Sequence, residues 1–301
     1  MHDVYLQLAG KLAGGRKTRR ATVVVVRYCS TPVRASEWVV IVYAGYLFVC
    51  AQVTPAGTGG RNRVRAECLL TALVVSVVAW SWPATPPHVV GAVRNWAPLA
   101  YVLALYWMPS HLLLPIDARA QRRLTDFDDR WAVHLIAAAA RAPRWFVELL
   151  ELAYLLCYPL LPAGFLVLAL LTSDDRATER YWTAVVIAAA LSYGWLPWIR
   201  THPPRQFEAA IPGPSSAIRR LNDLVLHNAS VQLNTFPSGH TATSTAAALA
   251  VVAGSAGAGA FFCVMLVLIA AACVVRRYHF LADVLTGAIA GAVGFAASLA
   301  I

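Results

Sequence analysis

The sequence predicts an all-α protein, a polytopic bundle of transmembrane helices, and two features of its composition support this. The hydrophobic fraction of the 301 residues is 59% and the charged fraction is only 13%. A soluble domain of this length would carry about a quarter charged residues. The apolar residues are gathered in long runs, each close to the roughly 20 residues that a membrane-spanning helix needs.

Eight apolar runs are the predicted spans. They lie near residues 37–54, 66–82, 95–114, 145–171, 181–198, 238–254, 257–275 and 280–301. The second run is short, and the third and fourth contain prolines, which membrane helices tolerate when neighbours satisfy the freed carbonyls. We expect about eight spans, in a range of six to eight, with six of the helices forming a catalytic core.

The runs divide the chain into three parts. Residues 1–36 form a basic N-terminal segment, residues 37–94 hold two additional transmembrane helices, and residues 95–301 form the catalytic core. Within the core, an apolar piece at 131–140 is too short to span and is expected at the interface. The connection 199–236 is expected to carry an amphipathic surface helix that begins near Ser215.

The formal net charge of +10 is carried almost wholly by arginine. Basic membrane proteins often owe such charge to contact with anionic lipid, and a phosphate site would add to it. No long basic stretch is interleaved with aromatics, so we expect no nucleic-acid partner. The six cysteines have no short repeated spacing, which argues against a disulfide framework and a zinc site. Nothing in the sequence sets an oligomeric state.

Three polar segments interrupt the apolar pattern and are expected on one face of the membrane. They are Arg200–Arg205 after run five, Phe236–His240 at the start of run six, and Arg276–Asp283 between runs seven and eight. Run six crosses the membrane and run seven returns, so the three segments share a face whatever the total number of helices. Separated motifs that converge in this way are typical of an active site.

The second segment contains Pro237, Ser238, Gly239 and His240. Proline suits the start of a helix, and glycine lets the backbone approach a ligand closely. The amides at such a helix start point at an anion, and His240 is placed to hand over a proton. The alternative is a helix cap at the interface with an incidental histidine.

The third segment places His279 and Asp283 four residues apart, on one face of a helix. A carboxylate there would fix the tautomer of the imidazole and leave its other nitrogen free to attack. An aspartate beside an apolar run is also energetically costly, which favours a functional role. The alternative is an interfacial polar pair that closes a helix end.

In the first segment, paired prolines make a stiff strap that holds Arg200 and Arg205 near the surface. Arginine binds phosphate through two parallel hydrogen bonds. The alternative is that these arginines bind lipid headgroups at the interface.

With these motifs, residues 95–301 resemble the type 2 phosphatidic acid phosphatase superfamily. The Pro-Ser-Gly-His motif of that family is matched at 237–240, and the His and Asp of its third motif are matched by His279 and Asp283. The first motif, which ends in Arg-Pro, is not matched as written. Pro203-Pro204-Arg205 and Tyr278-His279 are more similar to the branch related to inositolphosphoryl and sphingolipid headgroup transferases.

The third motif departs from the family pattern, because its Ser-Arg pair would fall at Ala272 and Cys273. We expect Arg276 or Arg277 to take over the missing phosphate contact. The resemblance implies that His279 attacks phosphorus and forms a phosphohistidine, that His240 is the acid, and that Asp283 orients His279. The predicted phosphate-binding residues are Arg200, Arg205, Ser238, Gly239, Arg276 and Arg277. Since arginines and a helix start supply the charge, we expect no metal and no other cofactor.

The expected function is hydrolysis of a lipid phosphate of the polyprenyl or phosphatidate type. The alternatives are a lipid headgroup phosphotransferase, which differs only in the acceptor, and a non-enzymatic lipid-binding or transport protein. The expected partners are the lipid phosphate substrate and membrane lipids. We expect an integral protein of a bacterial cell membrane, with the active site outside the cytoplasm. Five crossings separate that site from the basic N-terminal segment, which is more naturally cytoplasmic.

Overall fold

The computed structural model describes residues 33–80, 87–112, 114–172, 174, 176–206 and 217–301. Within these ranges the regular structure is helical, which confirms the all-α prediction. The helices are α1 (Ala35–Val53), α2 (Thr58–Ala79), α3 (Pro87–Trp107), α4 (Ala118–Trp131), α5 (Val133–Ala140), α6 (Arg144–Leu171), α7 (Ala177–Tyr193), α8 (Ala217–Ala229), α9 (Gly239–Gly254), α10 (Ala256–Val275) and α11 (Leu281–Ser298). Most of the predicted basic segment, and the predicted helix cap Ser215, lie outside the described residues.

Five of the described helical segments are long and apolar enough to cross a membrane. They are α1, the segment His88–His111 around α3, α6, α10 and α11. The helices α2, α7 and α9 coincide with the other three predicted runs, but α7 and α9 have only 17 and 16 residues and α2 has three arginines among its first eight residues. The structure therefore supports a membrane protein, while the number of eight spans stays a prediction.

The outer faces of the last two helices are apolar. The side chains of Val264, Val267, Leu285 and Ile289 are each half or more exposed. Large contiguous apolar surfaces are rare on monomeric soluble proteins and mark contact with other apolar partners. These faces fit the hydrocarbon of a bilayer.

Three glycines bring α11 against its neighbours α9 and α7. A Cβ atom on Gly287 would lie 2.6 Å from the Ser238 carbonyl oxygen, and one on Gly294 would lie 2.6 Å from that of Ala184. Gly291 packs equally closely against Ala242. Small residues at such positions let membrane helices approach each other. The close contact brings the start of α11 beside the start of α9, where the second and third polar segments lie.

The non-spanning helices follow the predicted pattern, with one difference. Helix α5 has only eight residues, as expected for an interfacial piece. Helix α8 exposes Leu221 and Leu224 and buries Asn222 and Leu226, so part of its polar face is turned toward the protein. The reason is a buried partner, since the Asn222 amide donates to the Glu151 carboxylate on α6 at 2.8 Å.

Candidate active site

Hydrogen bonds join the three polar segments. The Arg205 amide donates to the Arg277 carbonyl at 3.0 Å, and the Ser238 amide donates to the Asp283 carbonyl at 2.9 Å. The bridge between Thr201 and Asn234 connects the first segment to the loop before α9. Residues that are separated by tens of positions in the sequence therefore lie next to one another where α7, α9, α10 and α11 end or begin.

Two histidines face each other in this cluster. The Nε2 atom of His279 lies 3.4 Å from the Nδ1 atom of His240. His279 belongs to the connection between α10 and α11 and is 5% exposed, and His240 lies in the first turn of α9. The ring of Tyr154 stacks on His240 at 5.0 Å, and the Tyr158 hydroxyl lies 3.3 Å from His240 Nε2. The two tyrosine contacts hold the ring of His240 in place.

The hydrogen-bond partner of His279 Nδ1 is a residue that the motifs did not indicate. The Asn234 Oδ1 atom lies 2.9 Å from His279 Nδ1, whereas the Asp283 Oδ2 atom lies at 3.6 Å. The longer distance exceeds that of a hydrogen bond. Asp283 Oδ2 instead accepts from the Phe280 amide at 2.9 Å, capping α11. The Asn234 amide is therefore the hydrogen-bond partner of His279 Nδ1, and the predicted orienting role of Asp283 stays a prediction.

The environment of His279 keeps its imidazole neutral. Burial, and then the positive charge of Arg205, lower the pKa of His279 from 6.5 to about 3. A neutral imidazole retains one nitrogen lone pair at neutral pH. With Nδ1 directed at Asn234, that lone pair lies on Nε2, the atom that faces His240.

The two arginines of the first segment have different surroundings. The guanidinium carbon of Arg205 lies 5.9 Å from the centre of the Tyr278 ring, and its charge acts on His279. Arg200 is buried and donates to the carbonyls of Leu112 and Leu114 at 3.1 and 2.6 Å. Arg200 thus holds the chain after α3, and the described contacts place none of its atoms against the two histidines.

The adjacent arginines of the third segment are both held by buried carboxylates. Arg276 Nε donates to Glu151 Oε1 at 2.5 Å, and Arg277 Nη1 donates to Asp128 Oδ2 at 2.6 Å. Arg277 adopts a φ of +60°, and the Leu281 amide donates to the other Asp128 oxygen at 2.8 Å. The partners of these ion pairs are 125 and 149 residues apart in the chain, so no sequence pattern indicates them.

Glu151 is the centre of a hydrogen-bond cluster. Besides Arg276, it accepts from the Tyr278 hydroxyl at 2.6 Å, from Asn222 at 2.8 Å and from Arg219 on α8 at 3.1 Å. The carboxylate is 1% exposed, so its charge depends on these donors. Burial and then the Glu151 charge raise the pKa of Tyr278, which keeps its hydroxyl a donor.

A stack of aromatic rings links this cluster to the histidine pair. Tyr278 stacks on Tyr154 at 3.7 Å, and Tyr154 stacks on His240. The guanidinium of Arg219 lies 5.2 Å from the centre of the Tyr278 ring, which is the same ring that Arg205 approaches. Arg219 lies on α8, the helix that was predicted at the surface, but the structure places this arginine at the edge of the candidate site.

Ser238 and Gly239 have clear structural roles at the start of α9. The buried Ser238 is the N-cap, and its hydroxyl accepts from the Thr241 amide at 3.4 Å. A Cβ atom on Gly239 would overlap the ring of Tyr193, so packing requires a glycine there. Their predicted contact with phosphate stays a prediction.

Comparison with known proteins identifies the family of the chain. A family model described as the PAP2 superfamily matches residues 122–297, from within α4 to the end of α11. No curated protein and no solved structure matches the chain. Members of the superfamily are generally phosphatases, which supports a phosphoric ester hydrolase. Because the match covers more than half of the 301 residues, the chain belongs to the type 2 phosphatidic acid phosphatase (PAP2) superfamily.

Proposed function

We propose that the protein is an integral membrane phosphatase that hydrolyses a phosphomonoester or diphosphate of a lipid through a phosphohistidine intermediate. The observation that carries this proposal is the histidine pair, in which His279 Nε2 lies 3.4 Å from His240 Nδ1 while Asn234 lies at its Nδ1. A nucleophile beside an acid, with its other side oriented by a third group, is the arrangement that covalent catalysis needs.

In the first step, the Nε2 lone pair of His279 attacks phosphorus and forms a P–N bond. The P–O bond to the lipid breaks, and its electron pair stays on the departing oxygen. His240, protonated in the substrate complex, gives its proton to that oxygen, so the lipid leaves as an alcohol or, from a diphosphate, as a monophosphate. Proton transfer of this kind contributes typically 10²–10⁴-fold to a rate.

In the second step, water attacks phosphorus and the P–N bond breaks. His240 takes the proton of the attacking water and returns to its starting state, while inorganic phosphate is released. If a lipid or sugar hydroxyl replaces water, the same residues carry out a transfer reaction. We favour hydrolysis because water needs no second binding site.

In this mechanism, Arg205 is the main residue that stabilises the negative charge of the transferring phosphoryl group. Arg276 is its neighbour and contributes to the same role. Phosphoryl transfer depends mostly on positioning and on such charge stabilisation. The positive charge of Arg205 acts on His279 and lowers its pKa, and this closeness to the proposed nucleophile supports the role. The bond from Arg276 to Glu151 uses Nε, and a guanidinium carries further donors on its two terminal nitrogens. Arg277 is assigned to holding the loop through Asp128.

Phosphate release is the direct test of this function. The purified protein is incubated in detergent with polyprenyl phosphate, polyprenyl diphosphate and phosphatidate, with and without alcohol acceptors. We expect inorganic phosphate from at least one lipid, with activity that survives EDTA and is blocked by vanadate, which mimics five-coordinate phosphorus. Transfer to the alcohol without phosphate release would favour the phosphotransferase. Turnover that EDTA abolishes and magnesium restores would contradict the metal-free mechanism.

Replacing Arg205 tests the assignment of the phosphate charge. We expect Arg205→Ala to lower kcat/KM at least a hundredfold, since loss of one contact to a transferring group costs roughly 2–4 kcal/mol. The matched control is Cys273→Ala, because Cys273 is buried in the last turn of α10 and is expected to be dispensable for the chemistry. A wild-type rate in Arg205→Ala, together with a large loss in a folded Arg276→Ala, would move the phosphate contact to the third segment.

The proposed orientation places the active site outside the cytoplasm. The test uses a cysteine-free background with either Asn228→Cys on the exposed face of α8 or Asp174→Cys at the opposite end of the bundle. On intact cells, a membrane-impermeant thiol reagent should label the first variant, and label the second only after lysis. The reverse pattern would place the site in the cytoplasm.

A further inference from the structure

Asn234 is placed where a carboxylate usually orients a nucleophilic histidine. It is 1% exposed, and its Oδ1 lies 2.9 Å from His279 Nδ1. Two bonds to Thr201 hold it, one from the Asn234 backbone amide at 2.9 Å and one from its side-chain amide to the threonine hydroxyl at 3.1 Å. Because the amide nitrogen faces Thr201, the amide oxygen faces His279. An amide oxygen only accepts, so Nδ1 carries the hydrogen.

Asp283 is placed beside the same ring but is not bonded to it. Its Oδ2 lies 3.6 Å from His279 Nδ1 and accepts from the Phe280 amide. Its Oδ1 is buried and makes no hydrogen bond of ordinary geometry with the residues that the structure describes, although the Asn234 side chain lies close enough to interact with the carboxylate. A buried carboxylate oxygen without a donor is unfavourable. A positive charge that forms 3.6 Å away would offset that cost.

Such a charge forms during the reaction proposed above. When His279 Nε2 bonds to phosphorus while Nδ1 keeps its hydrogen, the imidazole ring becomes a cation. We propose that Asn234 is the positioning residue that fixes the tautomer of resting His279, and that Asp283 supplies the counter-charge once the ring carries the phosphoryl group. This inference rests on the proposed function and divides between two residues the roles that one carboxylate has in a catalytic triad.

The charges around the ring explain why an amide suits the resting state. His279 faces Arg205 from the strap, His240 from α9 and Asp283 from α11. A carboxylate bonded directly to Nδ1 would favour the protonated imidazole, which has no lone pair for attack. The neutral amide fixes the same tautomer without adding charge.

Two kinds of measurement test the proposal on the full-length protein in detergent. Nitrogen NMR of histidine-labelled protein reports the tautomer of His279, assigned by its loss in His279→Ala. Rapid-quench assays with a water-soluble aryl phosphate report the rate of phosphohistidine formation. Thermal unfolding of each variant identifies those that fail to fold. Asn95→Ala is the matched control for loss of an asparagine, because Asn95 on α3 accepts a hydrogen bond from Arg34 at the start of α1.

We expect Asn234→Ala to give a mixture of tautomers and to lower kcat roughly a hundredfold with little change in KM, the scale on which a misplaced reacting group slows catalysis. Asn234→Asp should keep the wild-type tautomer and move the acidic limb of the pH profile to higher pH. Asp283→Asn should also keep the tautomer but slow phosphohistidine formation.

Wild-type tautomer and rate in Asn234→Ala would overturn the proposal, as would loss of the tautomer in Asp283→Asn alone. If the wild-type protein hydrolyses no phosphate ester, the proposed function fails, whereas the NMR measurement still tests the role of Asn234.

Discussion

The substitution His279→Ala is expected to abolish phosphate release while leaving the helix bundle folded. The variant loses the only atom to which the proposed mechanism transfers the phosphoryl group, and removal of such a nucleophile costs roughly 10⁴–10⁶-fold in rate. His279 is buried, but it lies in the short connection between α10 and α11 and in neither helix, so we expect a smaller side chain there to leave the helix contacts in place. Phosphate release and thermal unfolding are measured side by side.

The matched control for this experiment is His202→Ala. His202 lies in the first polar segment and is exposed, and its described hydrogen bonds come from the backbone. The control should keep nearly the wild-type rate. A normal rate in His279→Ala would rule out the phosphohistidine mechanism, because the described contacts bring no other side chain to the Nδ1 atom of His240.

The substitution Glu151→Ala is expected to destabilise the protein by about 3–5 kcal/mol, the range measured when one partner of a buried ion pair is removed. Arg276 is 7% exposed and would be left without its carboxylate, and the hydroxyl of Tyr278 would lose its acceptor. The same change releases Asn222 and Arg219, which tie α8 to α6. Unfolding in detergent, followed by heat or by a denaturing surfactant, measures the loss.

Glu148→Ala is the matched control on the same helix. Glu148 lies three residues earlier, and its ion pair within the described part of the chain is a 3.8 Å contact with the exposed Arg144, a type of pair that contributes about 0–1 kcal/mol. The stability of Glu151→Gln should lie between those of Glu151→Ala and Glu148→Ala. The glutamine keeps an acceptor for the Tyr278 hydroxyl but lacks the negative charge that pairs with Arg276. Equal stability of Glu151→Ala and Glu148→Ala would show that the cluster does not hold α8 or Arg276.

The sequence alone determined the helical class, the positions of the apolar helices and the two histidines. Apolar runs are local features, and α1, α6, α10 and α11 appear close to where those runs predicted them. The short piece at 131–140 was too short to span, and α5 is a helix of eight residues. The alternation of crossings was sufficient to predict that His240 and His279 lie on one face, since it requires only the order of the segments.

Only the tertiary structure decided which polar groups are partners. Glu151 and Arg276 are 125 residues apart in the chain, and Asp128 and Arg277 are 149 apart. Asn234 lies nearer to His279 Nδ1 than Asp283 does. The bridge between Asn234 and Thr201 holds the Asn234 loop beside the connection that carries His279. Buried charges and amides take whichever partner the packing of separate helices brings within hydrogen-bond distance. Sequence periodicity indicates which face of a helix is buried, but it contains no information about which distant residue that face meets.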